Sequence, residues 1–292
     1  MSDFTTLPRF EEGHVPVAGG KLYYVSGGEG PQTAVLLHKL GGWTAEWRWI
    51  MPILATRMRV IAMDLPGHGG STAGGEPPFI VTQEEVSAAV MAALDTLDLQ
   101  KADMIGSSAG GCVSIVCAAL WPERVSTVVS LGTALAGSVI GPSSAAMLAG
   151  TQKQTTATRQ SMRVDAAQAI ANGYFDENEN PLPRDPSYME RVFGMSNPAH
   201  MEEQTLSRKV AGRWIQPASR GVALYDYPAM LPRIEAPVLL AYGDSGNYGR
   251  FTDAAAVQLK NSRIEAIQGA SAFPHQDKPE ETATLIMDFL GV

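Results

Sequence analysis

Two cysteines are all that this chain of 292 residues holds, too few for a disulfide framework. Cys112 and Cys117 lie five apart in a helical-looking run, on different faces, where a bridge between them would have poor geometry. Reduced core thiols are expected. Basic charge is also short: 22 lysines and arginines against 30 acidic residues leave a net charge of −8. Nucleic acids and anionic membranes select basic surfaces, so neither is expected as a partner; a small neutral or apolar molecule is. No uncharged apolar stretch approaches ~18 residues, and MSDFTTLPRFEEG at the N-terminus has no basic segment leading into an apolar run. A cytoplasmic protein is expected. The five histidines are scattered and neither cysteine has a partner at ligand spacing, which gives no metal site. No G-x-G-x-x-G or Walker run follows a strand, so no nucleotide or other cofactor is implied. Internal repeats and charge runs are absent, and no signal fixes an oligomeric state.

What is present suits one sizeable core: 45% apolar residues and 18% charged ones. Short β-rich runs alternate with helical patterns, the signature of an α/β chain with a mostly parallel sheet and crossover helices. The predicted strands are Lys21–Ser26, Ala34–Leu37, Arg59–Met63, Ala102–Ile105, Val125–Leu131, Val238–Tyr242 and Arg263–Ile267. Thr82 and Glu85 spell a capping box ahead of the apolar stripe Val86, Ala89, Val90, Ala93, Leu94 and Leu97. Pro279 opens a final helix that Gly291 stops. From Ser138 to about Met230 there is no strand alternation, only short helical patterns broken by turns. The expected organisation is therefore an α/β core in two parts, 1–137 and 231–292, with a helical cap at 138–230.

Gly106-Ser107-Ser108-Ala109-Gly110 lies between a β-run and a helical run, which is G-x-S-x-G in the strand–turn–helix context it requires. Small residues let strand and helix approach, and the central Ser108 is forced out of the turn with its Oγ exposed. The Ala109 N–H, at the start of the following helix, is left to donate to a developing oxyanion.

Three further stretches agree in order. Asp64-Leu65-Pro66-Gly67-His68-Gly69-Gly70-Ser71 follows a strand and resembles the D-x-x-G-x-G-x-S turn of the α/β-hydrolase superfamily. Leu37-His38-Lys39-Leu40-Gly41-Gly42-Trp43 resembles its oxyanion loop, and GASAFPHQDKPEETATLIMDFL its C-terminal histidine loop and last helix. The resemblance covers nearly the whole chain except the cap. It implies an α/β-hydrolase fold of the esterase, lactonase or C–C hydrolase type, with Ser108 as nucleophile and the Leu40 and Ala109 N–H groups as oxyanion hole.

The same resemblance exposes departures. The family's base is a histidine seven residues before the Pro-Glu of the last helix, and counting back from Pro279-Glu280 lands on Ala272. Without a base a serine hydroxyl is a poor nucleophile at neutral pH. The family's acid stands three residues after the glycine ending the sixth core strand, which here is Gly246, so Asp244 is the nearest carboxylate. Lys39 stands where the family has glycine, implying an altered or strained loop; its amine is a candidate base, the ordinary alternative being a lysine facing solvent. His275 is a second candidate base, or a loop histidine shielding the pocket. His38 and His68 are expected to be structural. Trp214 and Trp43 are candidate substrate contacts, ahead of Arg213, Arg220 and Tyr225, although packing is the plainer reading for each.

Three functions stay open. One is hydrolysis of a small, largely apolar ester, lactone or related carbonyl compound by Ser108, with a non-standard base or with Ala272 introduced in place of a histidine. The second is non-hydrolytic lysis or cyclisation using the oxyanion hole and Lys39. The third is a catalytically silent ligand-binding protein.

Overall fold

The computed structural model describes residues 10–135, 175–178, 180–246 and 248–292. Their strands are β1 (Phe10–Val17), β2 (Gly20–Gly27), β3 (Thr33–Leu37), β4 (Arg59–Met63), β5 (Thr72–Ala73), β6 (Ala102–Ser107), β7 (Val125–Leu131), β8 (Val238–Gly243) and β9 (Ser262–Ile267). They join in one sheet of order β1-β2-β4-β3-β6-β7-β8-β9, with β5 beside β2. Every pair from β4 to β9 is parallel, whereas β1, β2 and β5 pair antiparallel.

All seven predicted strands form. Two strands are additional: the two-residue β5, and β1, FEEGHVPV, which mixes charge, glycine and proline and pairs with β2 in register from Phe10 with Gly27 to Val17 with Gly20.

The helices are α1 (Met51–Leu54), α2 (Gln83–Thr96), α3 (Ala109–Leu120), α4 (Pro186–Phe193), α5 (Pro198–Ala211), α6 (Ile215–Leu224), α7 (Tyr227–Met230), α8 (Gly249–Ala256), α9 (Pro274–Asp277) and α10 (Pro279–Leu290). The central strands are buried on both faces, hence their continuous apolar runs. Val35 and Leu37 of β3 face a core with Val90 and Leu94 of α2 and Val113 and Val116 of α3. Ala34 and Leu36 point the other way, toward Trp47, Ile50, Leu54 and Ile286. Pro279 and Gly291 bound α10, the glycine in the left-handed conformation at φ 74°. The Thr82–Glu85 capping box opens α2 with both reciprocal bonds in place. Cys112 and Cys117 are free and buried, and burial pushes both thiols up to about 12.

Between β7 and β8 the described residues form α4, α5, α6 and α7, opened by Asp185, Asn197 and Asp226 caps with proline in the first turn. Residues 136–174, including the first part of the expected cap, lie outside the described residues. No described helix is long and apolar enough to cross a membrane.

Candidate active site

At the end of β6 the chain reverses into α3 through Ser108, whose φ of 50° and ψ of −110° lie in a region that side chains avoid. Among the described non-glycine residues it shares positive φ only with Asp98, at a cost of about 1–3 kcal/mol. The turn is held by the Ser108 N–H donating to the Leu131 carbonyl at 2.9 Å. It also demands its glycines. A Cβ on Gly106 would sit 2.2 Å from the Gly110 carbonyl carbon, and one on Gly110 would sit 2.0 Å from the Leu37 oxygen. Ala109 is the first residue of α3, so its N–H is among those with no partner inside the helix.

Leu40 lies in a loop tied to its neighbour by Asp64. This buried carboxylate accepts from the Thr44 N–H at 2.5 Å and the Gly70 N–H at 2.7 Å, while Ser71 Oγ donates to the Asp64 carbonyl at 2.6 Å. Burial raises its pKa. His38 donates from Nδ1 to the Lys39 carbonyl and accepts the Leu65 N–H at Nε2. His68 donates from Nδ1 to the Pro66 carbonyl, and burial drives its pKa down to about 3, leaving it a feeble base. Both histidines serve the loops. The strain expected at Lys39 is absent: the positive φ of this loop falls on Gly41.

Lys39 is turned inward, away from solvent. It is 3% exposed, its ammonium 2.8 Å from Glu46 Oε2 and over the Phe273 ring at 5.0 Å. His275 is fully buried, 4.5 Å from the Trp47 ring, with Nε2 3.4 Å from Glu46 Oε1. Burial alone would raise Glu46, but Lys39, helped by His275 and His38, outweighs it and holds the carboxylate down to about 2. Burial depresses His275. Both candidate bases are thus engaged with Glu46, a residue the sequence gave no reason to single out.

The place of the family's base is apolar. Ala272 is fully buried in a cluster with Met189, Phe193, Met195, Tyr248 and Phe273, and its N–H donates to the Phe193 carbonyl at 2.7 Å. The phenol of Tyr248 lies close enough to the Ser108 side chain for that hydroxyl to favour its ionised form slightly. Burial pushes that phenol up to about 12, so at neutral pH it is a proton donor and no base. Asp244 is exposed, and its Oδ1 accepts the Gly269 N–H at 2.7 Å. It caps a loop, whereas Gly246 lies against Ala272, where an added Cβ would stand 3.0 Å from the Ala272 nitrogen.

The two tryptophans are packed. Trp43 belongs to the core under α10, and Trp214 lies on Gly67, where a Cβ would meet its ring at 2.4 Å. Arg213 pairs with Glu76 at the surface and Arg220 stacks on Phe79. Among the described residues no group of three or more His, Cys, Asp or Glu could hold a metal ion.

A parallel sheet, a strained serine elbow and an oxyanion loop braced by an aspartate turn define a protein class. The alpha/beta hydrolase fold family model matches residues 34–275, and the chain belongs to that family. A dihydrolipoyllysine-residue acetyltransferase component of the acetoin cleaving system from Pseudomonas putida is 41% identical over 124 residues, 42% of this chain and 33% of that protein. A 2-hydroxy-6-oxononadienedioate/2-hydroxy-6-oxononatrienedioate hydrolase 1 of Pseudomonas putida is 35% identical over 123 residues, 40% of this chain and 41% of that one. The chain therefore spans well under half the length of these curated relatives. Among solved structures, the enol-lactonase from Burkholderia xenovorans LB400 superposes with a TM-score of 0.72 over 96% of this chain and 100% of its own, at 21% identity. That is a likeness of fold.

Proposed function

We propose that the chain is an enzyme acting on a small ester, lactone or related carbonyl compound. The carbonyl oxygen would sit between the Ala109 and Leu40 N–H groups, and the carbon would face Ser108 Oγ. The observation that carries this reading is the backbone of Ser108 at φ 50° and ψ −110°. Strain of this kind persists where a reacting group needs it, which speaks against a silent binding protein. The compromised step is removal of the serine proton, because Ala272 offers no base. Treating the full-length protein with a fluorophosphonate probe should label it slowly, and Ser108→Ala should abolish labelling and the slow hydrolysis of p-nitrophenyl acetate. Equal rates for wild type and Ser108→Ala on esters, lactones and vinylogous 1,5-diketones alike would overturn the proposal.

Tyr248 favours a second reading. A phenol kept protonated beside the oxyanion hole suits reactions whose leaving carbanion or enolate must accept a proton, such as C–C lysis. Lys39 is ill placed for that role, being paired with Glu46. Under this reading Tyr248→Phe lowers kcat on a C–C substrate by about 10²–10⁴-fold, the usual worth of a general acid. Under simple ester hydrolysis, Tyr248→Phe leaves kcat within a few fold.

A further inference from the structure

Arg208 of α5 is 4% exposed, and its Nε and Nη2 have no hydrogen-bond partner among the described residues. A guanidinium normally forms five N–H bonds, and an unpaired buried charge is costly. It lies against the oxyanion loop: a Cβ placed on Gly41 would be 2.9 Å from its Cγ and 3.6 Å from its Nη1. A second cation makes matters worse. Arg184, whose Nε is also buried without a partner, faces the same cavity of about 130 Å³, with Met189, Met201 and Thr205 on its walls. Glu202 also lines this cavity, yet it is exposed and leaves the two buried guanidinium nitrogens of Arg208 unbonded. Burial and the charge of Arg184 together hold the Arg208 pKa down to about 9. Aromatic faces offset part of this cost, Phe175 5.8 Å from the Arg208 guanidinium and Tyr188 and Phe193 at 5.4 and 5.6 Å from that of Arg184, but they accept none of the unbonded N–H groups, and an anion between the two arginines would.

We infer that Arg208 and Arg184 form a carboxylate-binding subsite, so that the substrate is an acid carrying its reactive carbonyl a short carbon chain away from a free carboxylate. The inference rests on the reading of Ser108 and its hole as the reacting end. A carboxylate accepts two parallel N–H bonds from one guanidinium, which matches the paired Nε and Nη2 vacancies of Arg208.

The test separates binding from chemistry. Glutarate, glutaramide and inorganic phosphate are titrated by calorimetry into the full-length protein, into Ser108→Ala and into Arg208→Met and Arg184→Met. Glutarate should bind wild type and Ser108→Ala alike, and at least 30-fold more weakly to Arg208→Met, as expected when one partner of a buried charge pair is truncated. Glutaramide should bind poorly throughout. Without any ligand Arg208→Met should melt at or above the wild-type temperature, since it removes an unpaired buried charge; this also shows that the variant folds. Glutarate binding that survives both arginine substitutions, phosphate binding tighter than glutarate, or equal affinity for glutaramide would each overturn the carboxylate subsite. Loss of activity in Ser108→Ala with glutarate binding retained leaves it standing, and glutarate binding with an inert Ser108 would sink only the catalytic reading.

Discussion

Replacing Ala272 by histidine together with Tyr248 by alanine should raise the turnover of p-nitrophenyl acetate by about 100-fold, the low end of what a general base contributes. The paired change is needed because Ala272 is fully buried in one cluster with Phe193, Phe273 and Tyr248, so an imidazole at that position needs the volume that removing the phenol would free. The low end is expected because the new histidine lacks an orienting acid: Asp244 is exposed and spent on the Gly269 N–H. Adding Gly246→Asp, at the position that abuts residue 272, should increase the gain further and move the pH–rate profile to an inflection near the ordinary histidine value of about 6.5. Steady-state kinetics and probe labelling read both effects. A double variant that melts like wild type and shows no gain would mean that Ser108 is not presented to the acyl carbon.

The second large effect concerns stability. Glu46→Gln should cost about 3–5 kcal/mol in urea unfolding at pH 7, because it leaves the Lys39 ammonium in the interior without its counter-charge. Replacing both, Lys39→Met with Glu46→Leu, should recover most of that loss, since buried pairs exchanged for apolar residues of like volume are close to neutral. The acid dependence follows in sign. Glu46 lies near 2 in the folded chain against an ordinary 4.5, so its contribution is present above about 4.5 and is lost as the pH falls toward about 2. His275, pushed below 6.5 by burial, works the same way: the unfolded chain takes up its proton first, and stability declines as the pH drops below 6.5. Urea midpoints at pH 7, 5.5, 4 and 3 should therefore step down in wild type, whereas the doubly apolar variant should keep the His275 step below 6.5 and lose the further step below about 4.5. A loss under about 1 kcal/mol in Glu46→Gln would show that the ammonium escapes to water.

How much of this could be read without coordinates depends on where the physics is local. The parallel strands announced themselves because both faces are buried, as at Val35, Leu36 and Leu37. The elbow did so because its G-x-S-x-G spacing is local, Gly106 being forced by the Gly110 backbone four residues on, although Gly110 itself is forced by the Leu37 carbonyl from the neighbouring strand. β1 escaped notice because one edge strand facing water needs no apolar run, and Pro16 and three acidic or glycine positions disguise it. The site was legible as a vacancy: Ala272 could be counted, but what fills its surroundings could not. Tyr248 comes from the turn after β8, where no motif marks it, and only its fold neighbours bring it to Ser108. Lys39, in a loop, and Glu46, in the single 3-10 turn Thr44–Trp47, are seven residues apart, a spacing that carries no periodic signal. Arg208, followed by Lys209 in the last turn of α5, looks like an ordinary pair of cations at a helix end; which of the two turns inward is decided by Gly41 and Ile215 across the interface.

Both sulfur atoms of the chain's thiols lie on α3, one of them four residues from Ser108, and neither ionises near neutrality. Since thiolate and not thiol attacks electrophiles, alkylating agents find no rival nucleophile beside the elbow. A covalent mass increment left on the native protein by a carbamate, a lactone or a phosphonate thus does not come from a thiol, and intact-mass spectrometry of wild type against Ser108→Ala can assign it to that hydroxyl with no cysteine blocked beforehand.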